Sequence, residues 1–150
     1  MNEFSKISDK IYTNLDFVSN KKILLAAGRL TKQKNFSYLI NEFDNFIKTN
    51  KDFVLVILGE GEERKSLLKI IKEKKIEKFV FLLGYKRDIY SIMKRSSAFI
   101  LSSLWEEMGF VIIEAAMNNL YIISSDCPNG PKEFLNNGIN GILFSNNIPN

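Results

Sequence analysis

Four charged side chains stand where they could do chemistry. In SSLWEEMGFVIIEAAM, residues 102–117, Glu106 and Glu114 lie eight positions apart, with Gly109 and a run of apolar residues between them. A helix beginning near Gly109 would leave its first backbone N–H groups free to hold a phosphate or a developing negative charge. Glu114 would then sit about one turn into that helix, and Glu106 in the loop before it. Carboxylates at those places can accept hydrogen bonds from sugar hydroxyls, one from a ribose and one from a second sugar. Read alone, the same spacing also fits a glutamate favouring a helix start and a solvated one. In GRLTKQKNF, residues 28–36, Gly28 permits a sharp turn and close approach, Arg29 offers a planar fork and Lys34 a point charge. Beside a helix N-terminus that set suits a diphosphate, and it also fits an ordinary basic surface loop. In ILGEGEER, residues 57–64, Gly59 and Gly61 form part of a dinucleotide fingerprint, but the third glycine is missing and Arg64 stands near its place. An oxidoreductase reading is therefore weak, and the two glycines read as turn residues that keep a groove open.

The elements that must position these groups follow from periodicity. Ile23–Ala27, Phe53–Leu58, Phe79–Leu83, Ala98–Leu101 and Tyr121–Ser124 are short, largely apolar runs, with a last one at Ile142–Phe144. Several end in glycine. Between them, Phe36, Leu39, Ile40, Phe43 and Ile47 fall at helical spacing, with Asn35 placed to cap the start. Leu67, Leu68, Ile70 and Ile71 give a second helical face, and short helices are expected over residues 86–95 and 109–119. In Gly130-Pro131-Lys132-Glu133, proline suits a first helical turn and glutamate its positive end. Apolar strands alternating with helices predict an α/β fold, a parallel sheet with helices on both faces. Ligands bind such sheets at the carboxyl ends of the strands, which is where all the segments above fall.

Composition narrows the classes. The chain has 150 residues, 45% hydrophobic and 25% charged, enough for one domain with a sizeable core. It has no histidine, which removes Ser-His-Asp and Cys-His catalysis, and its single cysteine, Cys127, allows no intrachain disulfide. No apolar stretch reaches the length of a membrane span, and the N-terminus lacks the apolar core of a signal peptide, so a cytoplasmic protein is expected. Residues 64–78 hold seven Lys or Arg against two Glu, a balance of +5, so the rest of a chain totalling +4 is close to neutral. That stretch fits a solvated helix face or a patch for anionic lipid. Without interleaved aromatics it does not favour nucleic acid.

The segments together resemble the donor-binding C-terminal domain of the family 4 (group 1) retaining glycosyltransferases, which have the GT-B fold. GRLTKQKNF, ILGEGEER, FLLGYKRDI, SSLWEEMGFVIIEAAM and IISSDCPNGPKEFLNNGINGILF run in that family's order over about residues 22–145. The resemblance implies a Rossmann-like domain, one half of a GT-B enzyme, that takes a UDP- or GDP-sugar with no metal or other cofactor. It implies that Arg29 and Lys34 hold the donor diphosphate, that Glu114 binds the ribose, and that Glu106 contacts the transferred sugar. Gly109, Phe110 and Val111 match the loop and helix start that meet sugar and phosphates, while Tyr85 and Lys86 match the segment lining the base. Gly28, Gly59 and Gly61 complete the donor-binding set, and Arg29, Lys34 and Glu106 are its catalytic members.

Two departures stand out. Glu106-Glu107-Met108-Gly109 replaces the Glu-Gly-Phe-Gly of many members, and SDCPNGPKE lacks paired glycines common elsewhere. The resemblance further implies that residues 1–21 are the remnant of an interdomain linker, that 22–150 form the donor domain, and that the N-terminal acceptor domain is missing. The acceptor would be a saccharide or lipid-linked saccharide in surface polysaccharide or glycolipid synthesis, with peripheral contact on the inner face of the membrane. Alone, such a domain is expected to bind donor without transferring sugar. The rival expectation is a degenerate, noncatalytic domain that binds a partner or a membrane through residues 64–78.

Overall fold

A computed structural model describes residues 15–145. Six strands form one parallel sheet: β1 (Lys22–Ala27), β2 (Phe53–Leu58), β3 (Val80–Gly84), β4 (Ser96–Leu101), β5 (Tyr121–Ser125) and β6 (Ile142–Phe144). Their spatial order is β3-β2-β1-β4-β5-β6. The chain builds outward from β1 in one direction, returns, and builds outward in the other. The order reverses between β1 and β4, which is where such sheets open a crevice for ligands. The helices are α1 (Phe36–Ile47), α2 (Arg64–Glu73), α3 (Ile89–Arg95), α4 (Phe110–Met117) and the single turn α5 (Pro131–Phe134).

Strand side chains point alternately to the two faces, and the core divides accordingly. Leu24, Ala26, Leu55 and Ile57 face α1 and α2, packing with Phe36, Ile40, Phe43, Leu67 and Ile71. Ile23, Leu25, Val54, Val56 and Phe99 face the other way, onto Ile92 and Met93 of α3 and Ile112 and Ala115 of α4. Burial on both faces is why these strands read as continuous apolar runs. The α1 side is covered only in part: beyond that helix an apolar groove lined by Tyr38, Phe43, Phe46, Ala98, Tyr121 and Phe144 stays open.

Element boundaries match the sequence reading to within a few residues, and some local details differ. Asn35 does not cap α1 with its side chain; it is left-handed (φ 53°) and turns the chain from a 3-10 turn, Lys32–Lys34, into the helix. Asp88 caps α3 with its side chain: its Oδ1 accepts from the Ser91 amide at 3.1 Å and its Oδ2 from the Ser91 hydroxyl at 2.6 Å. Glu133 does meet the α5 start, accepting from the Gly130 amide at 3.2 Å. Of the expected linker, residues 1–14 lie outside the described residues. Leu15 and Val18 are buried in the α3–α4 side of the core, and Phe17 meets Phe81 edge-on at 4.8 Å, so the packed unit includes residues earlier than 22.

Candidate functional site: a cleft at the sheet reversal

Gly28 and Arg29 leave β1, and Ser102 to Gly109 leave β4, the two strands that flank the reversal. The sheet therefore brings together residues more than seventy positions apart. Lys34, at the end of the 3-10 turn, lays its stem against Gly28: a Cβ there would stand 3.0 Å from Lys34 Cε. Glycine at 28 thus lets the lysine cross the end of β1. Its Nζ reaches Glu106 Oε1 at 2.6 Å, with both side chains largely buried (15% and 7% exposed). Ser103 Oγ donates to the same Oε1. The ion pair is thus held in a hydrogen-bonded setting, the condition under which partly desolvated charges persist.

The loops carrying this pair are tied to each other. The Leu104 amide donates to Gln33 O at 2.8 Å, Gln33 Nε2 to Trp105 O at 2.9 Å, and Ser102 Oγ to Lys34 O at 2.7 Å. The segment after β5 joins through Ser125 Oγ to Ser103 O at 2.7 Å and the Glu106 amide to Pro128 O at 3.1 Å. Cys127, buried in that segment, has its thiol pKa raised, chiefly by burial; a hydrogen bond with Ser125 opposes the rise and the Glu106 carboxylate adds to it.

Two clefts open over this floor and share Ala27, Gly28 and Arg29. One, about 860 Å³, is lined by Arg29, Lys34, Glu106, Gly109, Phe110 and Val111. The other, about 730 Å³, is lined by Gly28, Gly59, Tyr85, Lys86 and Glu114. Arg29 is exposed, and its guanidinium has no hydrogen-bond or ion-pair partner among the described residues. Gly109 is left-handed (φ 62°) and caps α4 without a side chain, leaving the first amides of the helix beside the cleft it lines.

The structure therefore gathers the residues singled out in the sequence along one groove, with one exception. Gly61 lines neither cleft; a Cβ there would stand 2.4 Å from Leu30 O, so the glycine serves the contact between the loops after β1 and β2. Gly59 lines a cleft but serves the same contact more than it keeps a groove open, since a Cβ there would fall 1.9 Å from Gly28 O. Arg64 turns away, donating to Leu82 O at 3.1 Å. Lys32, Gln33 and Arg87 also line the clefts; their neighbours in GRLTKQKNF and FLLGYKRDI were the only signal for them. Glu107 and Met108, the departures from the family pattern, both line the larger cleft and are exposed at its mouth with Trp105. Among the described residues no group of three or more His, Cys, Asp or Glu gathers as a metal site.

Fold and cleft define a class: a doubly wound parallel sheet with a basic cleft at its reversal point, suited to an anionic ligand. A family profile, glycosyl transferases group 1, matches residues 8–150. The chain belongs to that family. It is 35% identical over 131 residues to the UDP-Gal:alpha-D-GlcNAc-diphosphoundecaprenol alpha-1,3-galactosyltransferase of Escherichia coli, covering 85% of this chain and 34% of that one. It is 34% identical over 128 residues to the Campylobacter jejuni N-acetylgalactosamine-N,N'-diacetylbacillosaminyl-diphospho-undecaprenol 4-alpha-N-acetylgalactosaminyltransferase, again covering 85% and 34%. Among solved structures, the pneumococcal O-GlcNAc transferase GtfA, in complex with UDP and GlcNAc, superposes with a TM-score of 0.77 at 27% identity, over 85% of this chain and 26% of that one. The chain thus spans about a third or less of the length of these relatives.

Proposed function

We propose that this chain is the donor-binding part of a retaining glycosyltransferase and takes a nucleotide-sugar, a UDP- or GDP-sugar, along its groove. The observation that carries the reading is the meeting of Arg29, the Lys34–Glu106 pair and the α4 N-terminus at the sheet reversal. The nucleoside lies in the smaller cleft, with Glu114 accepting from the ribose hydroxyls and Tyr85 and Lys86 beside the base. The diphosphate crosses at Gly28 and Arg29, where the two clefts meet. The sugar occupies the larger cleft against Glu106, Glu107 and Met108. As the bond from the anomeric carbon to the diphosphate oxygen breaks, charge grows on the leaving diphosphate. Arg29, Lys34 and the free amides of α4 are placed to stabilise it, and preorganised groups of this kind are worth about a hundredfold or more each. These cations do the work of a metal, so binding is metal-independent. The acceptor, a saccharide or lipid-linked saccharide of a surface glycan, is presented by a partner domain; its hydroxyl oxygen bonds to the anomeric carbon and gives up its proton as the nucleoside diphosphate leaves. Relatives named for diphosphoundecaprenol substrates and a structural neighbour holding UDP support the reading.

Membrane contact fits the same function. On α2, Lys65, Lys69 and Lys72 are exposed around Leu68, a cationic stripe with an apolar centre.

Calorimetric titration with UDP and GDP in EDTA tests the donor reading. One nucleotide is expected to bind, and Arg29→Ala to weaken it by about tenfold or more, because charge-assisted hydrogen bonds to phosphate are lost. Arg29 is exposed and has no side-chain partner among the described residues, so its removal should leave the fold intact. Affinity unchanged in this variant would sink the assignment.

A further inference from the structure

Four serines are almost wholly buried where the central strands end: Ser102 and Ser103 after β4, Ser124 and Ser125 at the end of β5. Serine is seldom chosen for so dry a position unless its hydroxyl has work to do. Three of the four direct that hydroxyl at the groove machinery. Ser125 Oγ donates to Ser103 O, Ser102 Oγ to Lys34 O, and Ser103 Oγ to Glu106 Oε1. Ser124 differs: its Oγ donates to Ser125 O at 3.0 Å, within its own strand.

We infer that Ser103 is a positioning residue which aims Glu106, holding its Oε1 beside Lys34 and turning its Oε2 to the cleft for a hydroxyl of the transferred sugar. The inference rests on the donor reading and deepens it. Lys34 alone would leave the carboxylate free to rotate about a single contact, since an ammonium is a point charge without directional preference. A second donor from Ser103, whose own backbone is pinned by Ser125, fixes the plane of the carboxylate. Both donors converge on one oxygen, and Oε2 accepts no hydrogen bond from the described residues. An oxygen so placed can only accept, which suits a sugar hydroxyl and not a phosphate. The serines thus serve the sugar end of the groove, while Arg29 serves the phosphate end.

The test compares Ser103→Ala with Ser124→Ala, which deletes an equally buried hydroxyl that does not touch Glu106. Each 150-residue variant is titrated with UDP and with a panel of UDP-glucose, UDP-galactose and their N-acetyl forms, the tightest being compared with UDP. Ser103→Ala should weaken the sugar nucleotide by about tenfold, the loss of aim on a charged acceptor, with UDP affinity nearly unchanged. Ser124→Ala should alter neither. Equal losses for UDP and sugar nucleotide, or a Ser103→Ala variant that behaves as Ser124→Ala does, would overturn the inference. Should the parent chain bind no nucleotide, the donor reading fails by itself. A crystal structure of Ser103→Ala then still reads the positioning: the Glu106 carboxylate should turn about its remaining contact with Lys34, and an unmoved carboxylate overturns the proposal.

Discussion

Lys34 and Glu106 show how one contact changes the meaning of two residues. Each alone is an ordinary charged side chain on a loop. Together and largely buried, they form a pair whose partners cannot be removed singly without stranding a charge, a loss of about 3–5 kcal/mol. Truncating either therefore confounds binding with folding, whereas Arg29 separates the two. Cys127 reports on the same neighbourhood. Burial is the largest influence on its thiol and raises the pKa; Glu106 adds to the rise, while Ser125 and Lys34 oppose it. The thiolate is the nucleophile, so iodoacetamide at about pH 8 should modify the folded chain far more slowly than the urea-unfolded chain, where the pKa returns to about 8.5. The sign for stability follows. A group whose folded pKa is raised contributes stability below its unfolded pKa and loses it as pH rises through the folded value. The folded chain should therefore weaken on the alkaline side. Rapid labelling under native conditions, measured by mass, would show that the segment after β5 does not close over the thiol.

The loops after β1 and β2 act as one element because glycine lets their backbones touch. The Gly28 amide donates to Leu58 O and the Leu30 amide to Glu60 O, both at 2.9 Å, so the sheet ladder continues past the strand ends. Gly59 has φ 136° and would drive a Cβ into Gly28 O. Alanine there must move the backbone that bears Arg29, at a cost of about 1–3 kcal/mol for the strained conformation and more for the overlap. Gly59→Ala should thus lower the urea midpoint and weaken UDP binding together, while Gly138→Ala, where the described residues place no atom within 4 Å of the added carbon, should cost only its conformational strain. Equal midpoints for the two variants would sink this account. The contrast explains what the sequence made legible. Apolar runs ending in glycine announce strands and turns, because period and turn chemistry are local. Which backbone a glycine must approach is not local, so Gly61 read as a groove residue although it packs on Leu30. The meeting of Lys34 with Glu106, and the serines that brace it, depend on β1 and β4 becoming neighbours across 72 positions. No spacing along the chain encodes that. The ordered motifs marked the residues, and the sheet order supplied the contacts.

Charge is distributed unevenly over the whole molecule, and its placement separates two surfaces. The groove cations are Arg29, Lys32, Lys34, Lys86 and Arg87. The dense basic stretch lies elsewhere, along α2 and the turn after it, outside both groove clefts. Some of its charge is already engaged: Lys74 meets Asp44 of α1 at 3.1 Å, and Lys69 meets Glu73 at 3.7 Å in an exposed pair that salt would screen. Lys75 and Lys78 are exposed beyond the helix, and on α2 itself Lys65 and Lys72 remain with Leu68 between them, nearly half exposed. Among the described residues no helix is long and apolar enough to cross a membrane, so any lipid contact from this region has to be a surface one. Each lysine close to an anionic leaflet adds about 1 kcal/mol, an attraction confined to about a Debye length. Vesicles of phosphatidylcholine with phosphatidylglycerol should therefore sediment the chain at low salt and release it as salt rises. Replacing Lys65, Lys69 and Lys72 with glutamate should abolish sedimentation while UDP affinity stays as it was, because none of the three lines the groove. Sedimentation that persists in the triple variant, or that ignores salt, would remove α2 as a membrane face. Joint loss of lipid and nucleotide binding would mean that the two surfaces are not independent.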